Sequence, residues 1–340
     1  MTSWQDKIDR IAREKDFSGA VRVDFDGAVE FAAAYGLAHR GHDVANTTST
    51  RFAIASGGKG LTALAVVSLI EEGKVAYSTP ARAFLGDDLP LIGDDVTVEH
   101  LLSHRSGIGD YLDEDADHPV TDYLLTVPAH ELVTTEDYLA VLDGHPVKFA
   151  PGEQFSYCNG GYIVLALIAE RASGVPFATL VGSRVCGPAG MRHTEFLRSD
   201  ELPGDVALGY LPIEGASRTN VFHLPVVGSG DGGVYSTVAD VHEFWSALFA
   251  GKILPAGRVS EMVRRRSQAP ADLKHYGLGF WLHPTRDIVM LEGFDPGVSF
   301  RSVHDPSSRV THTVVSNTTY GAWPITRLLD QLLSEGRPGG

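Results

Sequence analysis

Cysteine is scarce in this chain: 340 residues contain two, Cys158 and Cys186, with no CxxC spacing. Neither a disulfide framework nor a structural zinc site is suggested, and reducing surroundings fit best. Long apolar runs are also lacking. The longest, Leu61 to Ile70 and Tyr162 to Ala169, reach about ten residues, half of what spans a bilayer. The N-terminal stretch alternates charged and apolar residues without the unbroken apolar segment of a signal peptide. The cytoplasm is the expected location, with no membrane anchor. Basic charge is in deficit, 28 Lys and Arg against 43 Asp and Glu for a formal net charge of −15. Such a balance opposes a phosphate backbone and argues against nucleic acid as a partner. Internal repeats, low-complexity tracts and Pro/Ser-rich linkers are absent, and only Gly336 to Gly340 reads as a frayed tail. No serine sits in a Gly-x-Ser-x-Gly elbow, which argues against an α/β-hydrolase scaffold.

What is present begins with an amphipathic helix over about residues 3–15. Two strands follow, Gly19 to Phe25 and Val29 to Tyr35, joined at Asp26-Gly27 as a hairpin. Helical patterns fill the middle: Gly60 to Glu72, Val98 to Ser103, Thr135 to Asp143, Gly161 to Ala172 and Val238 to Leu248. Thr237 and Asp240 offer a capping box for the last. Near the C-terminus Gly279 to His283, Ile288 to Leu291, Val298 to Val303 and Val310 to Ser316 read as strands, followed by a helix over about 322–333. Strands at both ends with helices between predict an α+β fold, an antiparallel sheet flanked by helices plus a mostly helical lobe. The expectation is a single domain over 1–340, with the sheet lobe from about 1–75 and 273–340 and the helical lobe about 76–272.

Within Arg51 to Ala65 a short β-prone stretch turns into an apolar helix at Ser56. Residues three apart on a helix share a face, so Lys59 Nζ can reach the Ser56 hydroxyl. A serine becomes a nucleophile when a neighbouring base takes its proton, and a desolvated lysine can be that base. The same residues also suit a plain helix cap with a solvated lysine and glycines marking a turn. Further on, Pro151 to Tyr162 places Tyr157 and Asn159 in a turn-rich loop ahead of an apolar helix. A tyrosine beside a protonated lysine can act as acid or base, and an asparagine amide can orient the lysine and hold a substrate carbonyl. Alternatively this is a structural loop with one half-buried tyrosine.

Taken jointly, Ser56-Gly-Gly-Lys59 and Tyr157-Cys-Asn159 resemble the serine β-lactamases, D-alanyl-D-alanine carboxypeptidases and esterases that share the penicillin-binding fold. The segments Val96 to Ile108, Pro151 to Phe155, Gly232 to Thr237 and Tyr276 to Phe280 look similar to the class C β-lactamase and esterase branch, and the likeness runs over nearly the whole chain. It implies a serine hydrolase with Ser56 as nucleophile and Lys59 and Tyr157 as its acid–base partners. Asn159 would bind substrate, and the oxyanion hole would be the backbone N–H groups of Ser56 and Phe294. The branch also carries a Lys-Thr-Gly or His-x-Gly strand motif. Counting back from Pro296-Gly297 places Leu291-Glu292-Gly293 there, so its first two positions depart. Glu292 and Gly293 are expected to touch substrate. Without the basic residue, an ester or amide of a small molecule or short peptide is expected rather than a β-lactam. Acyl transfer or D-aminopeptidase-like work on an amine-bearing substrate is the alternative, with Glu292 facing the cation; a non-catalytic ligand sensor is another.

Neither a metal nor an organic cofactor is called for. His100 and His104 stand one helical turn apart but lack the HExxH glutamate. Gly228 to Gly233 fits GxGxxG without the βαβ context and reads as a bend beside the site. His275 and His283 read as strand-edge structural residues. The loops 110–133 and 211–227 are expected to shape the pocket, and no pattern encodes the oligomeric state.

Overall fold

Residues 19–35 form the hairpin that alternation and Asp26-Gly27 call for, as β1 (Gly19–Phe25) and β2 (Ala28–Tyr35). The structure, a computed structural model, describes residues 4–114, 125–213, 215–269 and 274–334; the expected tail at 336–340 and the middle of the loop 110–133 lie outside them. The C-terminal strands are β3 (Ser267–Gln268), β4 (His275–Tyr276), β5 (Trp281–Leu282), β6 (Val289–Asp295), β7 (Val298–Asp305) and β8 (Val310–Ser316). One antiparallel sheet runs β2-β1-β8-β7-β6-β5-β4-β3, so the two ends of the chain meet where Gly19 to Phe25 pair with Ser316 to Val310.

Both faces of this sheet are covered, which is why β1 is buried along nearly its whole length. On one face lie α1 (Trp4–Glu14) and α5 (Ala322–Ser334), whose Ile8, Ile325 and Leu329 pack with Val21, Val23 and Val314. The other face meets α2 (Lys59–Glu71), which is apolar all round and buried from Lys59 to Leu69. A helix of that composition has to run through a core. It does so between the sheet and α3 (Asn159–Ser173), itself buried from Asn159 to Ala169. Among the described residues no single helix is long and apolar enough to cross a membrane.

Local departures from expectation have local causes. The helix expected at 135–143 is a 3-10 turn, Glu136–Tyr138, running into a single α turn, Leu139–Leu142. The strand expected over 279–283 shrinks to Trp281–Leu282 because Gly279, at φ +89°, passes so close to α2 that a Cβ there would stand 2.3 Å from Ala63 Cβ. Before α4 (Val238–Phe249), Thr237 caps the Asp240 N–H. Asp240 does not reach back: its carboxylate accepts from His193 N–H and Thr194 Oγ1 instead, so the capping box is half formed.

Candidate active site

Two residues of strand precede Ser56. Phe52–Ala53 pairs with Tyr235–Ser236, and Ile54 N–H donates to Val234 O at 3.0 Å. The chain then turns through Ala55, held at φ 47°, into a 3-10 turn, Ala55–Gly58, that feeds α2. No side chain caps this start, so the cap reading of Ser56 does not hold. Its hydroxyl lies 2.9 Å from Lys59 Nζ. The neighbouring glycines face the fold rather than a ligand. A Cβ at Gly57 would meet the Phe300 ring at 2.5 Å, and one at Gly60 would meet Leu291 Cδ2 at 2.6 Å.

Lys59 is 1% exposed. Besides Ser56, its Nζ contacts Asn159 Oδ1 at 2.7 Å and the Asp231 backbone carbonyl at 2.7 Å. Both of these groups can only accept. A neutral amine therefore spends its two N–H bonds on them and turns its lone pair toward the Ser56 O–H. Burial lowers the Lys59 pKa, against the opposing pull of Asp231, Glu114, Asp295 and Asp110. Asn159 is fixed in turn by its Nδ2, which donates to Leu112 O at 3.0 Å and Glu114 Oε1 at 3.2 Å. Asp110 accepts from the Asn159 and Gly160 N–H groups at 2.6 and 2.8 Å, anchoring the first turn of α3.

Tyr157 lies near Ser56 and lays its ring 4.9 Å from Lys59 Nζ. Its other neighbours are aromatic: Trp281, stacked at 5.8 Å, and His104, at 4.2 Å between ring centroids. Burial, with Glu114 and Tyr276 nearby, raises its pKa well above that of a free phenol. A phenol so held keeps its proton. His104 accepts from Cys158 N–H at 3.0 Å and is held neutral by burial. His100 closes a capping box with Thr97. No group of three metal-ligating side chains exists among the described residues.

The third segment lies inside β6, and strand alternation sorts it. Leu291 and Gly293 turn inward: a Cβ on Gly293 would stand 2.1 Å from Ile54 O and 3.0 Å from Gly57 N, so only glycine lets the strand lie this close to the nucleophile turn. Glu292, expected to face substrate, points the other way. It pairs with Lys274 at 2.6 Å and with its cross-strand partner Arg301 at 3.1 Å. The period of two places Asp295, not Glu292, on the inward face. Phe294 sends its ring outward to Tyr320 and Trp323. Among the described residues β5 pairs with β6 only at Val289 and Met290, and no other strand pairs with the edge beyond. Counting the antiparallel ladder from the Asp295–Val298 pair that closes the turn directs the Phe294 N–H toward that edge.

A cleft of about 700 Å³, counted out to open solvent, is lined by Ser56, Tyr111, Asn159, Asp231, Tyr235 and Asp295, with Asn220 and Leu224 to Val226 on its rim. Both expected loops therefore reach the pocket. Asp231 comes from the Gly228 to Gly233 bend, closed by a Ser229–Gly232 bridge, and its Oδ2 accepts from Tyr111 OH at 2.6 Å. The Gly-rich pattern marks that bend but gives Asp231 no signal of its own, whereas strand alternation from Gly293 points to Asp295. Asp110 and Tyr111 had no signal of their own.

Residues 4–334 match the Beta-lactamase family, and the chain belongs to it. It is a serine hydrolase with that family's fold. Among its relatives, Esterase EstB of Burkholderia gladioli is 30% identical over 80% of this chain and 76% of its own. PbpX of Bacillus subtilis (strain 168) is 29% identical over 97% of this chain and 78% of its own. The crystal structure of a penicillin binding protein from Bacillus halodurans superposes with a TM-score of 0.90 at 34% identity, covering 96% of this chain and 99% of that one.

Proposed function

We propose that Ser56 attacks the carbonyl of an ester or amide of a small molecule or short peptide and carries the acyl group. Lys59 takes the Ser56 proton as Oγ attacks. The tetrahedral oxyanion sits between the Ser56 N–H, in the first turn where helical N–H groups have no internal partner, and the Phe294 N–H. Tyr157 gives its proton to the departing oxygen or nitrogen and is reprotonated from Lys59. Water then attacks the acyl carbonyl, losing its proton along the same path, and Ser56 is released. Asn159 holds Lys59 and meets the substrate. The observation that carries this reading is the lysine amine with two pure acceptors at 2.7 Å and the Ser56 hydroxyl at 2.9 Å. The sensor alternative has less support, since the departure at Leu291 and Glu292 leaves that arrangement intact. Two free, buried cysteines support a cytoplasmic location.

The test is labelling with a fluorophosphonate and turnover of 4-nitrophenyl butyrate. One adduct on Ser56 and a loss on the order of 10³-fold or more in Ser56→Ala are expected. An adduct elsewhere, or unchanged turnover in Ser56→Ala, overturns the reading.

A further inference from the structure

The cleft over Ser56 is lined by two carboxylates, Asp231 and Asp295, and among the described residues by no lysine, arginine or histidine. The two differ in their ties. Asp231 accepts from Tyr111. Asp295, at the inward end of β6, has no side-chain hydrogen bond or ion pair with any described residue and feels Asp231, Lys59 and Glu114 only through space. Lys59 cannot close on Asp295, because Ser56, Asn159 and the Asp231 carbonyl already take up its nitrogen. A half-buried carboxylate left beside a second one, with no basic side chain lining the cleft among the described residues, calls for a cation. The nucleophile shares this cleft, so what Asp295 faces during turnover is substrate.

We propose that this cleft selects acyl substrates bearing a free, positively charged amine, which Asp295 binds with Asp231 behind it. The inference rests on the acyl-enzyme reading of Ser56. It assigns to Asp295 the role that the sequence suggested for Glu292, which Lys274 and Arg301 occupy instead. The charge also works by exclusion: a carboxylate-bearing substrate meets two acids where the branch's basic motif would have offered a cation. The Asp295 carboxyl is pushed up to about 7, by burial first and Asp231 second. An arriving ammonium ion would restore it to the ionised form.

Alanine 4-nitroanilide, in both enantiomers, compared with its N-acetyl and N-succinyl derivatives, tests this, with 4-nitrophenyl butyrate as the uncharged reference. The wild type should favour the free amine, and Asp295→Asn should lower the ratio of kcat/KM for the amine over that for the butyrate by about tenfold or more. Asp295→Lys should raise kcat/KM for the N-succinyl substrate, a gain that misfolding cannot imitate. Butyrate turnover with no amine preference, or with a ratio unmoved in both variants, overturns this inference alone. Failure of every substrate to acylate Ser56 overturns the acyl-enzyme reading and this inference with it.

Discussion

Glu292 and Arg301 stand opposite each other across β6 and β7, 3.1 Å apart, and this pair turns the acid of the third segment away from Ser56. Lys274 completes it at 2.6 Å. Glu292→Gln should therefore cost stability, about 1–3 kcal/mol for a partly buried double ion pair. Its kcat/KM should stay within about threefold, a change in transition-state binding of about RT. Urea denaturation and steady-state kinetics on one preparation check both. A large kinetic loss at unchanged stability would return Glu292 to the site.

Lys59→Met should retain the fold, since the replacement is long and apolar in a buried position. It should acylate at least about 10³-fold more slowly. Lys59→Arg should be equally slow, because a guanidinium does not give up its proton in a protein. Stopped-flow acylation with 4-nitrophenyl butyrate measures both. The wild-type rate should rise with pH below the ordinary lysine range, because burial lowers the Lys59 pKa and only the neutral amine can accept the Ser56 proton.

Tyr157→Phe separates two kinds of leaving group. A 4-nitrophenolate departs without a proton, whereas an amide nitrogen needs one. The variant should lose about tenfold on the ester and on the order of 10³-fold on the anilide. Equal losses would show that Tyr157 acts on Ser56 rather than on the leaving group.

Gly293→Ala places a methyl 2.1 Å from Ile54 O, a backbone atom that cannot step aside. A loss of about 2 kcal/mol or more in stability is expected. Fluorophosphonate labelling of Ser56 should fall with it, as β6 moves off the nucleophile turn.

Acid should weaken the fold through two histidines on central strands. Burial holds His312 down to about 3 and His304 to about 4, while in the unfolded chain both titrate near 6.5. Between those values the unfolded state binds the extra protons, so the stabilisation is whole above pH 6.5 and is lost as pH falls toward 3. The expected loss is on the order of a few kcal/mol. Urea midpoints at pH 7, 5 and 4 should fall in that order, and less steeply in His312→Gln.

Much of this protein is written in local sequence. Period-two runs at 19–35 and 298–316 and the apolar helices at 59–71 and 159–173 reflect rules that a chain obeys over a few residues. The spacing Ser56 to Lys59 is a property of one helical turn, and Tyr157 to Asn159 of one loop, so both groups of catalytic candidates were legible. What could not be read was which side chain meets which across the fold. The glycines beside Ser56 read as marking a turn, yet Phe300 and Leu291, from another part of the chain, pack against Gly57 and Gly60. Glu292 looked like a substrate contact until Arg301, nine residues on, and Lys274 claimed it. Asp231 and Asp295 lie 64 residues apart in sequence and come together only because the Gly228–Gly233 bend and the end of β6 both close on the start of α2. Most of the elements and the candidate nucleophile follow from local periodicity and spacing, which a short stretch of chain carries within itself. The charge of the cleft was decided by tertiary structure, because burial and pairing are long-range and settle which carboxylates are neutralised and which are left for a ligand.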